Sequence, residues 1–274
     1  MPYATVNGAK LWYELFGSGE PMVLLGGGGL GRFNLHPLLP YLQEHFEILS
    51  LDQRGYGKSD PVGAGSMRVE TWADDVPALL DAVGWEKAHM NSTALGGMVA
   101  LAAGIRYPDR CLSITAQGFF SKPDAARRLL LEGLADHCRC AGLSRGFSAV
   151  LATVALSPEH LEAHPEAIGE MTAMMQTTSL ETWLAAYEAM REVDLGKGLP
   201  TCHVPTLIIA GELDEATPLD MTASGIGTRK TGDLLPDARL VIFEGSGHVT
   251  IFERTKEHAE AIIDFVASLG DRSG

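Results

Sequence analysis

The sequence predicts an α/β protein with a mostly parallel, twisted sheet and helices on both faces. Short apolar runs recur along the chain, and segments with helical periodicity separate them. These runs are continuous rather than alternating, which is typical of strands buried on both faces of a parallel sheet. An Asn7-Gly8 pair between the first two runs predicts an antiparallel hairpin at the start of the fold.

The strands and helices can be assigned in chain order. The hairpin joins residues 4–6 to residues 11–15, and further apolar runs predict strands at 22–25, 47–51, 88–91, 112–116, 206–210 and 239–243. Residues 96–107 are small and apolar and predict a buried helix. Apolar side chains at helical spacing predict two more helices, one carrying Val69, Trp72, Val76, Leu79, Leu80 and Val83, the other Ile262, Ile263, Val266 and Leu269.

Residues 121–200 are too long for a simple crossover and have a helical pattern throughout. We therefore expect a helical insertion over the sheet edge, with residues 1–120 and 201–274 forming the core domain. A stripe of Met and aromatic side chains in this insertion is more typical of plain core than of a ligand site, because Met fills irregular gaps well. A cap over an apolar cavity would use the same residues. The candidate substrate contacts are therefore Met171, Met174, Met175 and Trp183 of the insertion, together with Gly27 of the glycine-rich loop at residues 26–31.

Composition limits the classes of partner. The chain has 21 Lys and Arg against 35 Asp and Glu, a net charge of −14 that disfavours nucleic acid and anionic membranes. The start of the chain has no signal-peptide pattern, and no apolar run reaches the ~18 residues of a membrane span. The four cysteines lack metal-site spacing. We expect a cytoplasmic protein with a small-molecule substrate and neither metal nor cofactor, while homodimer formation stays open.

The glycine-rich loop at residues 26–31 has two interpretations. Its Gly-x-Gly-x-x-Gly pattern follows a strand, and Asp52 stands about 20 residues further on, as in a dinucleotide-binding Rossmann protein. A preceding hairpin is unusual in that class, however, and three other motifs at strand ends have no role in binding a dinucleotide. The other interpretation is that the bare N–H groups of the loop stabilise a reacting oxyanion. We therefore expect no nicotinamide or flavin to bind.

The three other motifs also follow predicted strands. Residues 52–59 read Asp-Gln-Arg-Gly-Tyr-Gly-Lys-Ser, a glycine-bent loop in which Asp52 and Arg54 would hydrogen-bond the loop itself. Residues 91–97 read Asn-Ser-Thr-Ala-Leu-Gly-Gly, between a strand and a helix. Asp214 and His248 lie in the loops after two successive predicted strands, 206–210 and 239–243.

These motifs together resemble the α/β-hydrolase superfamily over essentially the whole chain, from the hairpin to the last helix. Residues 52–59 match its Asp-x-Arg-Gly-x-Gly-x-Ser loop, residues 91–97 match its nucleophile elbow, and the order elbow, acid, base matches its triad. The resemblance implies that Asp214 is the triad acid, His248 the base, and the N–H groups of Gly28 and Leu95 the oxyanion hole.

The sequence departs from the superfamily pattern in three places. Gly26 replaces the usual His, Ser92 replaces the usual Gly, and Ala94 occupies the nucleophile position. Ser92 cannot serve instead, because Met90 would then stand where a small residue is needed. Thr93 precedes the apex of the turn and would point away from it.

Two explanations of Ala94 remain open. The alanine is either a Ser→Ala replacement in a hydrolase of small, largely apolar esters, lactones or carbon–carbon substrates, or the native residue of an enzyme that uses His248 and Asp214 as a general base. Chemistry of the second kind includes lyase and cofactor-independent oxygenase reactions. A ligand-binding module without turnover is a further alternative, and a Rossmann oxidoreductase is the least favoured.

Overall fold

A sheet of eight strands forms the centre of the computed structural model, which describes residues 3–63 and 65–270. The strands are β1 (Tyr3–Val6), β2 (Ala9–Gly17), β3 (Glu20–Leu25), β4 (Phe46–Asp52), β5 (Ala88–Thr93), β6 (Cys111–Gln117), β7 (Thr206–Gly211) and β8 (Ala238–Phe243). Their order across the sheet is β1-β2-β4-β3-β5-β6-β7-β8. Strands β1 and β2 run antiparallel to their neighbours, and the other pairs are parallel.

The predicted hairpin is present. Asn7 and Gly8 have φ values of 47° and 77°, the left-handed conformations that a tight two-residue turn needs, and Val6 pairs with Ala9 across it.

Helices cover both faces of the sheet, so the predicted fold class is confirmed. They are α1 (Leu39–Leu42), α2 (Val69–Val83), α3 (Leu95–Arg106), α4 (Ala125–Ala141), α5 (Arg145–Ala155), α6 (Pro158–Ala163), α7 (Ala167–Met175), α8 (Leu180–Glu192), α9 (Thr228–Leu234), α10 (Thr250–Glu253) and α11 (Thr255–Gly270). Short 3-10 segments lie at Arg32–Asn34, His36–Leu38, Pro108–Arg110 and Leu199–Thr201. Within the described residues, no helix combines the length and the apolar character of a membrane span.

Strand β3 shows why the apolar runs are continuous. Its Val23 and Leu25 belong to the core cluster beneath α2 and α3, whereas Met22 and Leu24 belong to the cluster beneath α11. Both faces of the strand are therefore buried from Met22 to Leu25, and each of these four positions is apolar.

Helices α4 to α8 follow one another between β6 and β7, in the segment predicted to be helical. Four of the five begin at a side chain that accepts a hydrogen bond from a backbone N–H of the first turn: Asp124, Ser144, Ser157 and Ser179. Helix α8 lies against the glycine-rich loop, because a Cβ built on Gly29 would come within 2.0 Å of the Trp183 ring. We keep the two-part division into a core and a cap at 121–200 as a proposal.

Candidate active site

Four loops meet at the carboxyl edge of the sheet. Gly28 follows β3, Ala94 follows β5, Thr217 follows β7 and His248 follows β8, and all four line one cavity. Carboxyl edges of parallel sheets are where ligands bind in open α/β folds.

Ala94 lies at a strained turn between β5 and α3. Its φ of 50° and ψ of −118° are unfavourable for a residue with a Cβ, at a cost of about 1–3 kcal/mol. Helix α3 approaches β3 very closely just after this turn, since a Cβ built on Gly96 would lie 2.0 Å from the Leu25 carbonyl oxygen. The backbone therefore has the shape of a nucleophile elbow, with a methyl group at its apex.

The two neighbouring hydroxyl groups cannot replace a nucleophile in this arrangement. Ser92 donates to the Thr115 carbonyl at 2.6 Å, and Thr93 donates to the Gln117 side chain. Both side chains are buried and hydrogen-bond to residues of β6, which agrees with the sequence argument against a nucleophilic role for them.

His248 and Asp214 form a hydrogen-bonded pair. Nδ1 of His248 lies 2.9 Å from Oδ2 of Asp214, and the carboxylate side chain is only 1% exposed. Thr217 holds the same carboxylate twice, through its backbone N–H to Oδ1 at 2.7 Å and through its hydroxyl to Oδ2 at 2.7 Å. This geometry leaves the other imidazole nitrogen for a reacting group.

The charges of the pair support each other. Burial opposes ionisation of Asp214, but the charge of His248 and the hydrogen bonds from His248 and Thr217 outweigh it and hold the pKa of this carboxyl below its ordinary value. Burial also opposes the imidazolium form of His248, but Asp214 and Glu253 outweigh it and raise the pKa of His248. The site therefore favours a charged imidazolium, the form that a general base reaches after taking a proton.

The glycine-rich loop approaches the elbow closely. A Cβ built on Gly28 would lie 3.5 Å from Cβ of Leu95, and one on Gly27 would lie 3.1 Å from Cβ of Ala94. Leu95 is the first residue of α3, where backbone N–H groups have no partner within the helix. The two backbones thus come together where the resemblance expects an oxyanion hole.

An apolar cavity of about 850 Å³, including its open mouth, lies between these loops and the insertion. Helices α4, α5, α7 and α8 supply much of its wall. Its polar side chains are those of Asn34, Thr93, Tyr187, Thr217 and His248, and no Lys, Arg, Asp or Glu of the described residues lines it.

The predicted substrate contacts fall in different places. Met171 and Trp183 line the cavity. Met174 lines a smaller neighbouring cavity, and Met175 lines neither, because it is fully buried against Ser148 and beneath Trp183. Gly27 packs against Ala94 and is not among the residues that line the cavity. Met171 and Trp183 are therefore the better placed of the five, and substrate contact by Gly27, Met174 and Met175 stays a prediction.

Some cavity residues were not selected from the sequence. Tyr187 and Met190 lie four and seven residues after Trp183 on α8 and line the cavity with it. The helical period places the three on one face and could have identified them. Asn34 could not have been identified, because its position depends on how residues 32–34 fold after the glycine-rich loop.

Asp52 is engaged within its own part of the fold. Its carboxylate accepts a hydrogen bond from Lys58 N–H at 3.0 Å and pairs with Arg32 Nε at 3.0 Å. As the sequence suggested, this acid holds a loop in place.

The fold and the site together define an α/β-hydrolase. A family model described as the alpha/beta hydrolase fold matches residues 20–255, so the chain belongs to this family. The expectation of an enzyme of this superfamily is therefore confirmed. The alternative of a Rossmann oxidoreductase is not supported.

Similar proteins carry several hydrolase names. A putative carbamate hydrolase RutD of Azorhizobium caulinodans is 28% identical over 260 residues, which cover 90% of this chain and 91% of that protein. The 2-hydroxy-6-oxononadienedioate/2-hydroxy-6-oxononatrienedioate hydrolase of Paraburkholderia xenovorans is 27% identical, covering 94% and 91%. The enol-lactonase of Burkholderia xenovorans has the same fold, with a TM-score of 0.87 at 23% identity and coverage of 97% and 100%.

Proposed function

We propose that this protein hydrolyses a small, largely apolar ester, lactone or carbamate, with His248 as general base and Asp214 as its partner. The observation that carries this proposal is the His248–Asp214 pair, joined at 2.9 Å, opening onto an apolar cavity beside Ala94. Names among the relatives, a carbamate hydrolase and an enol-lactonase, support the same substrate class.

Because Ala94 offers no nucleophile, water takes that role. His248 removes one proton from a water molecule, and the remaining hydroxide forms a bond to the carbonyl carbon. The N–H groups of Gly28 and Leu95 stabilise the oxyanion that forms. His248 then returns the proton to the leaving oxygen or nitrogen as its bond to the carbonyl carbon breaks, so that an ester or carbamate is split in two and a lactone ring is opened.

The cavity wall favours a neutral substrate. A charged group would lose its hydration on entering, and no Lys, Arg, Asp or Glu among the described lining residues would compensate; the imidazole of His248 must be neutral to act as the base. The substrates in the name of the Paraburkholderia relative are dioates, whose two carboxylates are less suited to such a wall.

The paired test compares the protein with its Ala94→Ser variant against esters, lactones, carbamates and vinylogous diketones. The proposal predicts turnover by the alanine form without an acyl-enzyme burst, and loss of that turnover in His248→Ala. Serine should add little if alanine is native, because the site geometry is then set for water. Ser92→Ala is the matched control, since it removes a neighbouring hydroxyl that points away.

A different outcome would indicate that Ala94 is a Ser→Ala replacement. In that case the alanine form is inactive, and serine raises esterase activity by several orders of magnitude, on the scale of about 10⁶ for a nucleophile knockout. Rapid quench followed by intact mass would then show an acyl adduct. Tight binding of a small molecule with no turnover in either form would contradict both explanations and leave the binding module.

Sedimentation of the same samples tests the homodimer that the sequence allows.

A further inference from the structure

Glu253, at the end of α10, joins the loop that carries His248 to the helical insertion. Its Oε2 accepts a hydrogen bond from Gly247 N–H at 3.0 Å, directly before His248. Its Oε1 accepts one from Ser157 N–H at 2.9 Å, at the junction of α5 and α6. One carboxylate thus bonds both segments.

The α5–α6 junction, residues 154–157, packs directly on this loop. A Cβ built on Gly247 would lie 2.8 Å from both the Ala155 carbonyl oxygen and the Ser157 nitrogen. Val249 N–H donates to the Ala155 carbonyl at 3.2 Å. The same junction also contacts the loop that carries Asp214, because Ala216 N–H donates to the Val154 carbonyl at 3.1 Å.

We propose that Glu253 is a positioning residue, whose carboxylate holds the loop of His248 against the α5–α6 junction and places a second negative charge near that loop. This inference rests on the proposed role of His248 as base. Neither the sequence motifs nor the names of the relatives assign a role to Glu253.

Several charged groups surround the pair. Two carboxylates act on His248: Asp214, in the loop after β7, and Glu253, on α10. Both raise the pKa of His248 against the effect of burial. Glu253 in turn lies at a polar cavity with five other titratable side chains: Glu159, His160, His164, Arg254 and Glu257. Burial lowers the pKa of His160, so this imidazole adds little positive charge beside Glu253 at neutral pH.

The test compares Glu253→Gln with Glu257→Gln. Glu257 lines the same polar cavity and pairs with Arg254 at 3.4 Å, so its variant changes the charge equally without touching the hydrogen bonds of Glu253. Titration of the His248 ring by ¹⁵N NMR, assigned with His248→Gln, measures its pKa whether or not a substrate is known. We expect a lower pKa in Glu253→Gln and a much smaller change in Glu257→Gln.

Kinetics give the second measurement. In Glu253→Gln, kcat should fall roughly tenfold or more while KM changes little, because the base is displaced but the apolar wall that α4 and α8 supply is not. The acid limb of kcat/KM should also move to lower pH, as the pKa of the base falls. Equal behaviour of the two variants by NMR would overturn the inference, whereas absence of any turnover would count against the proposed function alone.

A measurement on the unaltered protein covers the case in which Glu253→Gln does not fold. The amide resonances of Gly247 and Ser157 should both shift as the Glu253 carboxyl titrates, because both N–H groups donate to it. Amide shifts that do not follow that titration would contradict the proposal.

Discussion

Three hydrogen bonds hold the carboxylate of Asp214, and two of them come from Thr217. The hydroxyl of Thr217 also lies 3.2 Å from Nδ1 of His248, so the threonine contacts both members of the pair. A buried carboxylate with this many donors stays ionised and keeps the imidazole in one orientation.

Replacing Asp214 by Asn should therefore reduce kcat on the order of 10⁴-fold, because the imidazole loses both its orientation and its counter-charge. Loss of the negative charge also lowers the pKa of His248, so the acid limb of the pH–rate profile should move to lower pH. Thr217→Val is the comparison. It keeps the backbone donor and removes one hydroxyl, so a loss of about tenfold is expected. Equal losses in the two variants, measured by pH–rate profiles, would contradict this account.

At the scale of elements, the elbow depends on how closely α3 approaches β3. Gly96 has no room for a side chain, because the nearest atom to a built Cβ is backbone oxygen rather than a flexible side chain. Gly133, in the middle of α4, has nothing within 4 Å of a built Cβ. The two helical glycines therefore form a matched pair.

We expect Gly96→Ala to lower the free energy of unfolding by about 3 kcal/mol or more, since backbone must move to admit the methyl group. Gly133→Ala should raise it by about 0.5–1 kcal/mol, because alanine has the better helix propensity and the space is open. Urea denaturation of both variants measures the difference. Equal stability of the two variants would show that the approach of α3 to β3 is looser than the structure has it.

Elements were easier to predict from the sequence than contacts within the site. The strand predicted at 112–116 is observed at Cys111–Gln117, because burial on both faces leaves a clear apolar run. Asp214 and His248 could be selected because each lies in the loop that follows such a run. Met175 could not be placed, since a helix in the insertion has two apolar faces and only tertiary packing decides which one meets the cavity. The glycines of residues 26–31 indicated an oxyanion-binding loop, but the choice of Gly28 and Leu95 came only from the resemblance, because nearly every residue has a backbone N–H group.

On the scale of the whole molecule, a buried histidine makes stability depend on pH. His258 on α11 is fully buried, bonds Thr250 at 3.0 Å, and has its pKa lowered by burial to about 3. In the unfolded chain the same imidazole binds a proton near its ordinary pKa of about 6.5. Between these values the unfolded state holds more protons, so stability falls as the pH falls from about 6.5 toward 3.

Replacing His258 by Gln should therefore weaken this dependence. The free energy of unfolding should decline less between pH 6.5 and pH 4 in the variant than in the unaltered protein, even if the variant is less stable at pH 8. Chemical denaturation at a series of pH values measures both slopes. His45→Gln, which changes an exposed histidine, is the control and should keep the slope of the unaltered protein. An unchanged slope in His258→Gln would contradict the argument.

The methyl group at the apex of the elbow also determines how this enzyme can be detected. Fluorophosphonates and related covalent reagents label hydrolases by capturing an activated serine oxygen, and Ala94 provides none. An activity-based survey of a cell extract with such reagents would pass over this protein, however abundant it is. A member of this family with alanine at the apex has to be found through its substrates.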